Sequence, residues 1–252
     1  MKIGYLNAFK DNYIWFIQEN TDLIVVDPGE SDVVLSYIQN NQLTLKSILL
    51  THDHNDHIGG VAELLKYSDV PVYGMCSIAT KQLKNNDIIN LSNKISGTIL
   101  ATPGHTYTSI CYLLDITGIK HLFCGDTLFA AGCGRVFTGD FQAMFNSLNQ
   151  LKKLDPNFLV YPGHEYTLKN LKFAQFIEPN NIIISERIHE ESIKLETLNN
   201  TLPVTISIEQ KTNPFFRCND INFINAFSKI INQKINGEFD CFLKLREFKN
   251  NF

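Results

Sequence analysis

The chain has 252 residues, enough to bury one sizeable core without disulfide or metal staples. Its 22 Lys and Arg stand against 26 Asp and Glu, a net charge of −4 that argues against a general polyanion or nucleic-acid binder. A hydrophobic content of 44 % excludes disorder as the main state, and no apolar run approaches the roughly 20 residues of a membrane span.

In chain order, the first two-thirds alternate β-rich runs with helical stretches. Strands are expected at Lys2–Asn7, Tyr13–Gln18, Leu23–Asp27 and Ser47–Thr51, then at Val70–Gly74, Ser109–Asp115, Lys120–Gly125 and Phe158–Tyr161. These runs are rich in Ile, Val, Tyr and Phe and are bounded by Gly, Asn, Asp or Pro. Helices are expected at Val33–Asn40, Gly59–Tyr67, Ser77–Lys84 and Phe141–Leu154. In the last, Phe141, Met144, Phe145, Leu148, Leu151 and Leu154 recur at helical spacing. Mixed elements of this kind predict a layered α/β sandwich.

The last third reads as helices at Leu168–Ile177, Ser185–Asn199, Asp220–Ile235 and Glu238–Phe248, interrupted by the proline-containing stretch Thr201–Pro214. Val204–Ile208 is ambiguous between strand and helix. The charge divides in the same place. Residues 1–165 hold 11 basic and 16 acidic side chains, whereas residues 166–252 hold 11 and 10. An α/β domain over 1–165 and a helical domain over 166–252 are expected.

Chemistry concentrates in Thr51-His52-Asp53-His54-Asn55-Asp56-His57-Ile58-Gly59-Gly60, which follows an apolar run and precedes a helical pattern. Three of the seven histidines fall here beside two aspartates. Imidazole and carboxylate suit Zn, Fe or Mn. Such a turn can send His52 and His54 to one ion and Asp56 and His57 to another. Three further donors stand at strand ends or Gly-rich turns: His105 after Pro103-Gly104, Asp126 after Cys124-Gly125, and His164 after Pro162-Gly163. Five histidines and two aspartates are too many for one four-coordinate zinc. Two ions with three private donors each and one shared carboxylate use all seven, the pattern of a dinuclear hydrolytic centre.

His121 and His189 have no donor-like neighbourhood and are expected on the surface. No G-x-S-x-G nucleophile elbow and no Gly-rich phosphate loop occurs. The six cysteines form no C-x-x-C pair, and the amino terminus lacks an export pattern, so reduced thiols in a cytoplasmic protein are expected. Cys133, in Gly132-Cys133-Gly134-Arg135, reads as a small buried residue.

The T-H-x-H-x-D-H run with the later His, Asp and His resembles the metallo-β-lactamase superfamily, which implies an αββα sandwich with a dinuclear site at one edge. Finer motifs are similar to the hydroxyacylglutathione hydrolase (glyoxalase II) family. They are Asp11-Asn12-Tyr13, Val26-Asp27-Pro28-Gly29, Gly125-Asp126-Thr127-Leu128-Phe129, Gly132-Cys133-Gly134-Arg135, Pro162-Gly163-His164-Glu165-Tyr166-Thr167 and Thr212-Asn213-Pro214-Phe215-Phe216-Arg217, with Leu245–Phe252 at the end. The resemblance implies hydrolysis of S-D-lactoylglutathione to D-lactate and glutathione, with water activated between two metal ions as nucleophile. It assigns His52, His54 and His105 to one metal, Asp56, His57 and His164 to the other, and Asp126 to the bridge. Arg135, Tyr166, Arg246 and Lys249 match positions that contact glutathione, whose carboxylates suit charge-assisted hydrogen bonds. Phe137 stands where some relatives carry tyrosine. Asp27 is a candidate partner for a ligand histidine.

The expected cofactors are two divalent ions, zinc before iron or manganese. The expected partner is a small glutathione thioester, with no nucleic acid, no membrane and a monomeric chain. Two other readings compete. One is a glutathione persulfide dioxygenase of the same superfamily, with one iron held by two histidines and an aspartate. The other is a metal-stabilised binding protein without catalysis.

Overall fold

The computed structural model describes all 252 residues. One sheet contains β1 (Lys2–Ala8), β2 (Asn12–Glu19), β3 (Asp22–Val26), β4 (Thr44–Leu49), β5 (Val72–Gly74) and β6 (Lys81–Gln82), in that spatial order. Its first three strands pair antiparallel and the rest parallel. Between them run the helices α1 (Ser31–Asn41), α2 (Asn55–Ile58) and α3 (Val61–Tyr67). Residue parity decides what each face touches. Tyr13, Trp15, Ile17, Ile24 and Val26 enter the core between the sheets. Their neighbours Ile14, Phe16, Leu23 and Val25 pack with Val34 and Ile38 of α1 and Val61 and Leu64 of α3. A sheet covered on both faces explains why β2 and β3 read as continuous apolar runs rather than alternating ones.

The second sheet has β7 (Ile88–Ser92), β8 (Ile95–Ala101), β9 (Ile110–Ile116), β10 (Ile119–Gly125), β13 (Leu159–Pro162) and β14 (Val204–Thr205), in the order β14-β13-β10-β9-β8-β7. A separate two-stranded ribbon, β11 (Leu128–Phe129) with β12 (Gly132–Cys133), follows β10. The sheets meet where Trp15 stands edge-on to Tyr161, 5.0 Å between ring centroids, while Tyr161 stacks on Phe123. Helix α4 (Phe141–Lys152) starts at Asp140, whose carboxylate accepts the Ala143 N–H as an N-cap. It buries Met144, Leu148 and Leu151.

After β13 the chain is helical apart from β14: α5 (Thr167–Ile177), α6 (Ile182–Leu198), α7 (Ile206–Thr212), a 3-10 turn at Pro214–Phe216, α8 (Ile221–Ile231) and α9 (Glu238–Asn250). Phe173, Phe215, Phe227, Phe242 and Leu245 belong to the same continuous cluster of 40 buried residues as Trp15 and Tyr112. No helix is long and apolar enough to cross a membrane. All six cysteines are buried and unpaired.

Two expectations are corrected, one ambiguity resolves, and one hairpin is new. Ser77–Lys84 is not a helix: Ala79 N–H turns back to the Cys76 carbonyl, and the chain then adds β6 to the sheet edge. The hairpin β7–β8 was not foreseen, because it is an edge whose alternation is broken; Ile88 in it is 75 % exposed. Val204–Ile208 divides into β14 and the first turn of α7, where Thr205 caps the helix by accepting the Ile208 N–H. His121 is buried, not on the surface. It is in register with Leu114 in the inter-sheet layer, and its Nδ1 lies 2.9 Å from the Tyr161 hydroxyl. Burial lowers its pKa and keeps the ring neutral.

Candidate metal centre

Loops at the carboxyl ends of strands converge at one edge of the sandwich, the side on which open α/β sheets present functional residues. Residues 51–57 follow β4, His105 lies between β8 and β9, Asp126 follows β10, and His164 follows β13. Strands β10 and β13 are parallel neighbours, so Asp126 and His164 leave the sheet side by side. Backbone hydrogen bonds tie the loops across the two sheets, from Tyr13 N to Gly163 O at 2.8 Å and from Ile110 N to Thr51 O at 2.8 Å. Packing there leaves no room for a β-carbon at two positions. At Gly163 one would stand 2.6 Å from both Asp126 Oδ1 and His57 Cε1. At Gly134 one would stand 1.9 Å from the Asp126 carbonyl.

Seven donors meet in two groups. His52 Nε2 lies 3.2 Å and His105 Nε2 3.0 Å from His54 Nδ1. In the second group, Asp56 Oδ2 lies 3.6 Å from His57 Nε2 and 3.4 Å from His164 Nε2. Asp126 stands between the groups. Its Oδ2 is 3.5 Å from His105 Nε2 and 3.4 Å from His164 Nε2, and its Oδ1 is 3.4 Å from His57 Nε2. These separations match the edge of about 3.3 Å that a tetrahedral ion with bonds of about 2.0–2.1 Å requires.

The outer nitrogens determine what the inner ones can do. His57 Nδ1 is 3.1 Å from Asp27 Oδ2, His164 Nδ1 is 2.9 Å from Asp11 Oδ1, and His105 Nδ1 is 2.9 Å from the Arg135 carbonyl. Each of these partners only accepts, so a proton sits on Nδ1, and in the neutral ring the Nε2 lone pair faces inward. His52 Nδ1 is 3.0 Å from Thr51 Oγ1. That hydroxyl donates to Asp27 Oδ2 at 2.6 Å, so it accepts from His52 in turn. Lone pairs aimed at one another repel unless a cation lies between them. His57 Nε2 and Asp126 Oδ1 are buried and have no hydrogen-bond partner, an arrangement a bound ion satisfies. The residues therefore fit divalent metal. Asp27, His52 and His57 also lie within metal-binding reach of one another. Asp27, however, is engaged by the outer nitrogen of His57 and by the Thr51 N–H at 2.8 Å, so it orients the donors.

Electrostatics agree with a cation-ready site. Burial and the neighbouring rings push the His52 pKa well down. Burial opposes charge on His164 too, but hydrogen bonds with Asp126 and Asp56 raise it to about 11 in the metal-free protein. Burial would raise the Asp126 carboxyl, yet the His57 and His164 rings hold it well below the usual carboxylate range. A hydrogen bond with His164 likewise lowers Asp56.

Above the donors opens a cleft of about 460 Å³. Arg135, Phe137, Tyr166 and Arg246 line it as the motifs suggest. Phe137 is 64 % exposed and stands edge-on to His54 and His105, each at 5.3 Å. Tyr166 stacks on His164 at 4.8 Å. Arg246 is only 4 % exposed. Its guanidinium donates to the Cys133 carbonyl at 2.9 Å, lies over Phe215, and leaves Nε unpartnered. Lys249 is not in the cleft wall; its Nζ lies 4.5 Å over the Phe173 ring, behind Arg246. Cys133 is buried as expected and borders the cleft. His189 is exposed.

Sequence reading missed Asp11 as a histidine partner and missed Phe129, Lys169 and Asn170 in the cleft wall. Lys169 follows Tyr166 by three residues at the start of α5, so helical spacing from a motif residue could have found it. The ion pairs of the helical region are made by Arg187, Lys194, Arg217 and Lys244; Arg246, Lys249 and Lys169 make none, nor does Arg135.

Comparison with known proteins fits this geometry. Residues 9–82 and 82–164 match the family model described as metallo-beta-lactamase superfamily, and residues 165–252 match that of the hydroxyacylglutathione hydrolase C-terminus. The chain is 39 % identical to a hydroxyacylglutathione hydrolase of Psychromonas ingrahamii, covering 98 % of each chain. It is 40 % identical to one of Neisseria meningitidis serogroup C, over 100 % of this chain and 99 % of the other. Among solved structures, ETHE1 from Myxococcus xanthus superposes with a TM-score of 0.69 at 24 % identity, covering 99 % of this chain and 92 % of that one, which establishes the shared fold. With both family models matched and near-full-length identity to these relatives, the chain belongs to the hydroxyacylglutathione hydrolase family.

Proposed function

We infer that the chain hydrolyses the thioester of a 2-hydroxyacylglutathione, with S-D-lactoylglutathione as substrate, releasing the hydroxy acid and glutathione. The observation that carries this is a complete set of seven donors beneath a cleft walled by cations that lack carboxylate partners. His52, His54 and His105 would hold one ion, Asp56, His57 and His164 a second, with Asp126 shared between them. Zinc suits this donor set, as do iron and manganese. When bound, such ions supply Lewis acidity and lower the pKa of water toward neutrality.

The chain's own groups do the rest. Asp27, Asp11, Thr51 and the Arg135 carbonyl lock the rings in the tautomer that presents lone pairs inward. Arg246, Arg135 and Tyr166 face the cleft and would bind the peptide part of the substrate, with Lys249 adding positive potential from behind. Burial raises the Tyr166 pKa, so its hydroxyl remains a phenol that can donate a hydrogen bond. The leaving thiolate has a conjugate-acid pKa near about 8.5, so no dedicated general acid is required. Labour is divided accordingly: residues 1–165 carry the donors and residues 166–252 supply Tyr166, Arg246 and Lys249.

The test is the rate of S-D-lactoylglutathione hydrolysis, followed as loss of thioester absorbance, as purified, after chelation, and after adding back zinc, iron or manganese. Metal-dependent turnover is expected, and the add-back ranks the metals. Absence of turnover in every metallated sample, with oxygen uptake on glutathione persulfide, would replace the hydrolase by the one-iron oxygenase reading.

A further inference from the structure

A second buried polar assembly lies beyond the donors, inside the helical region. Glu209 of α7 is fully buried and pairs with the equally buried Arg187 of α6, Nη2 to Oε1 at 2.7 Å. Arg187 also donates to the Thr212 hydroxyl. The other Glu209 oxygen accepts the Ala131 N–H at 2.8 Å and the Asn213 amide at 2.8 Å. Asn213 in turn donates to the Gly132 carbonyl at 3.0 Å, and Asn170 donates to the Ala130 carbonyl at 3.1 Å. Glu209, Asn213 and Asn170 thus converge on one short piece of backbone, the turn joining β11 to β12. Ala131 there holds φ +54, in the left-handed region that a β-carbon disfavours. A buried charge pair is weak evidence for stability, but the Glu209 oxygen that Arg187 leaves free is directed at this turn, through Ala131 N–H and Asn213.

The target leads to the cleft. Phe129 borders it on one side of the turn and Cys133 on the other. The Cys133 carbonyl receives Arg246, and two residues on, the Arg135 carbonyl holds the His105 ring while the Arg135 side chain faces the cleft. We propose that Glu209 is a positioning residue: its carboxylate, shared among Arg187, Ala131 and Asn213, clamps the 128–133 turn and thereby sets where Arg246 and Arg135 meet the substrate. The kinetic side of this rests on the hydrolase reading; the mechanical side does not.

The test compares the wild-type holoenzyme with Glu209→Gln, which keeps the shape but turns an N–H₂ toward donors. The double variant Arg187→Met with Glu209→Gln also removes the orphaned charge should the single variant fold poorly. A Val34→Ala variant in the opposite core, outside the cleft lining, serves as a control for general loss of stability. Two readouts are taken: amide hydrogen exchange over residues 128–135, and KM against kcat for S-D-lactoylglutathione. We expect exchange in this segment to rise about tenfold or more relative to the control. KM should rise about tenfold with kcat changed by less than about twofold. Exchange rising evenly along the chain, or KM and kcat matching the control, would overturn the proposal. If the wild type itself turns over no hydroxyacylglutathione, the hydrolase reading fails, and local exchange alone decides for or against the clamp.

Discussion

The donor cluster and the cleft wall above it are built on opposite plans. Four of the five donor imidazoles have their outer nitrogen engaged, and Asp27, which engages His57, is itself held by the Thr51 N–H and hydroxyl. The wall, by contrast, is assembled from three distant segments around 135, 166 and 246, and its cations have no anionic partner. The centre is preorganised to receive cations. The wall is left electrostatically unsatisfied, so that a small anionic substrate completes it.

The comparison breaks most completely at Asp126, the one side chain common to both donor groups. Asp126→Ala is expected to lose most metal and to lower kcat/KM on the order of a thousandfold or more, read by metal analysis alongside turnover. Metal and activity both retained would contradict its place between the ions. Removing an orienting partner tests preorganisation alone. Asp27→Ala should weaken metal affinity about 10- to 100-fold in a chelator competition, with the donors themselves unchanged.

The wall should fail differently. Arg246→Ala combined with Lys249→Ala is expected to raise KM about tenfold or more while kcat falls much less, because these contacts serve ground and transition states alike. A pure kcat loss would remove both residues from substrate binding. A pH profile sharpens the same point. Burial, with Arg246 and Lys169 nearby, lowers the Lys249 pKa to about 8. Its charge is therefore present at pH 7 and lost as pH rises through about 8, so KM should climb across that range, and Lys249→Arg should flatten the climb. Stability moves the opposite way. The unfolded chain keeps this proton to higher pH, so losing the charge in the folded state favours folding above about 8. The smallest effect is expected at Phe137, which offers an exposed ring but no hydroxyl. Phe137→Tyr adds a donor at the cleft mouth and should lower KM by about threefold at most.

Much of this could be read from the residues because the relevant information is local. Three donors crowd one turn, and the other loops announce themselves by Pro-Gly-His or Gly-Asp at strand ends. The strands of the doubly covered sheet are apolar enough to stand out. What escaped was marginal or distributed. The β7–β8 hairpin has weak alternation because exposed Ile88 adjoins buried Ile89 and the register shifts between Asn90 and Ser92, and Ser77–Lys84 resembles a helix only until it must round the sheet edge. His121 was placed on the surface because nothing polar in its own segment partners it; Tyr161, forty residues away, does.

Residue type at short spacing was enough for the α/β class and the family, and it named the seven side chains that the fold brings together at one edge. Tertiary structure decided which nitrogen of His57, His105 and His164 faces the centre, for that depends on Asp27, the Arg135 carbonyl and Asp11 reaching in from other loops. It also decided that Lys169 joins the cleft, that Lys249 stands behind it, and that Glu209 grips a turn 78 residues away. Hydrogen bonds and charges act through space at about 3 Å, whereas periodicity reports only which face of its own element a residue occupies.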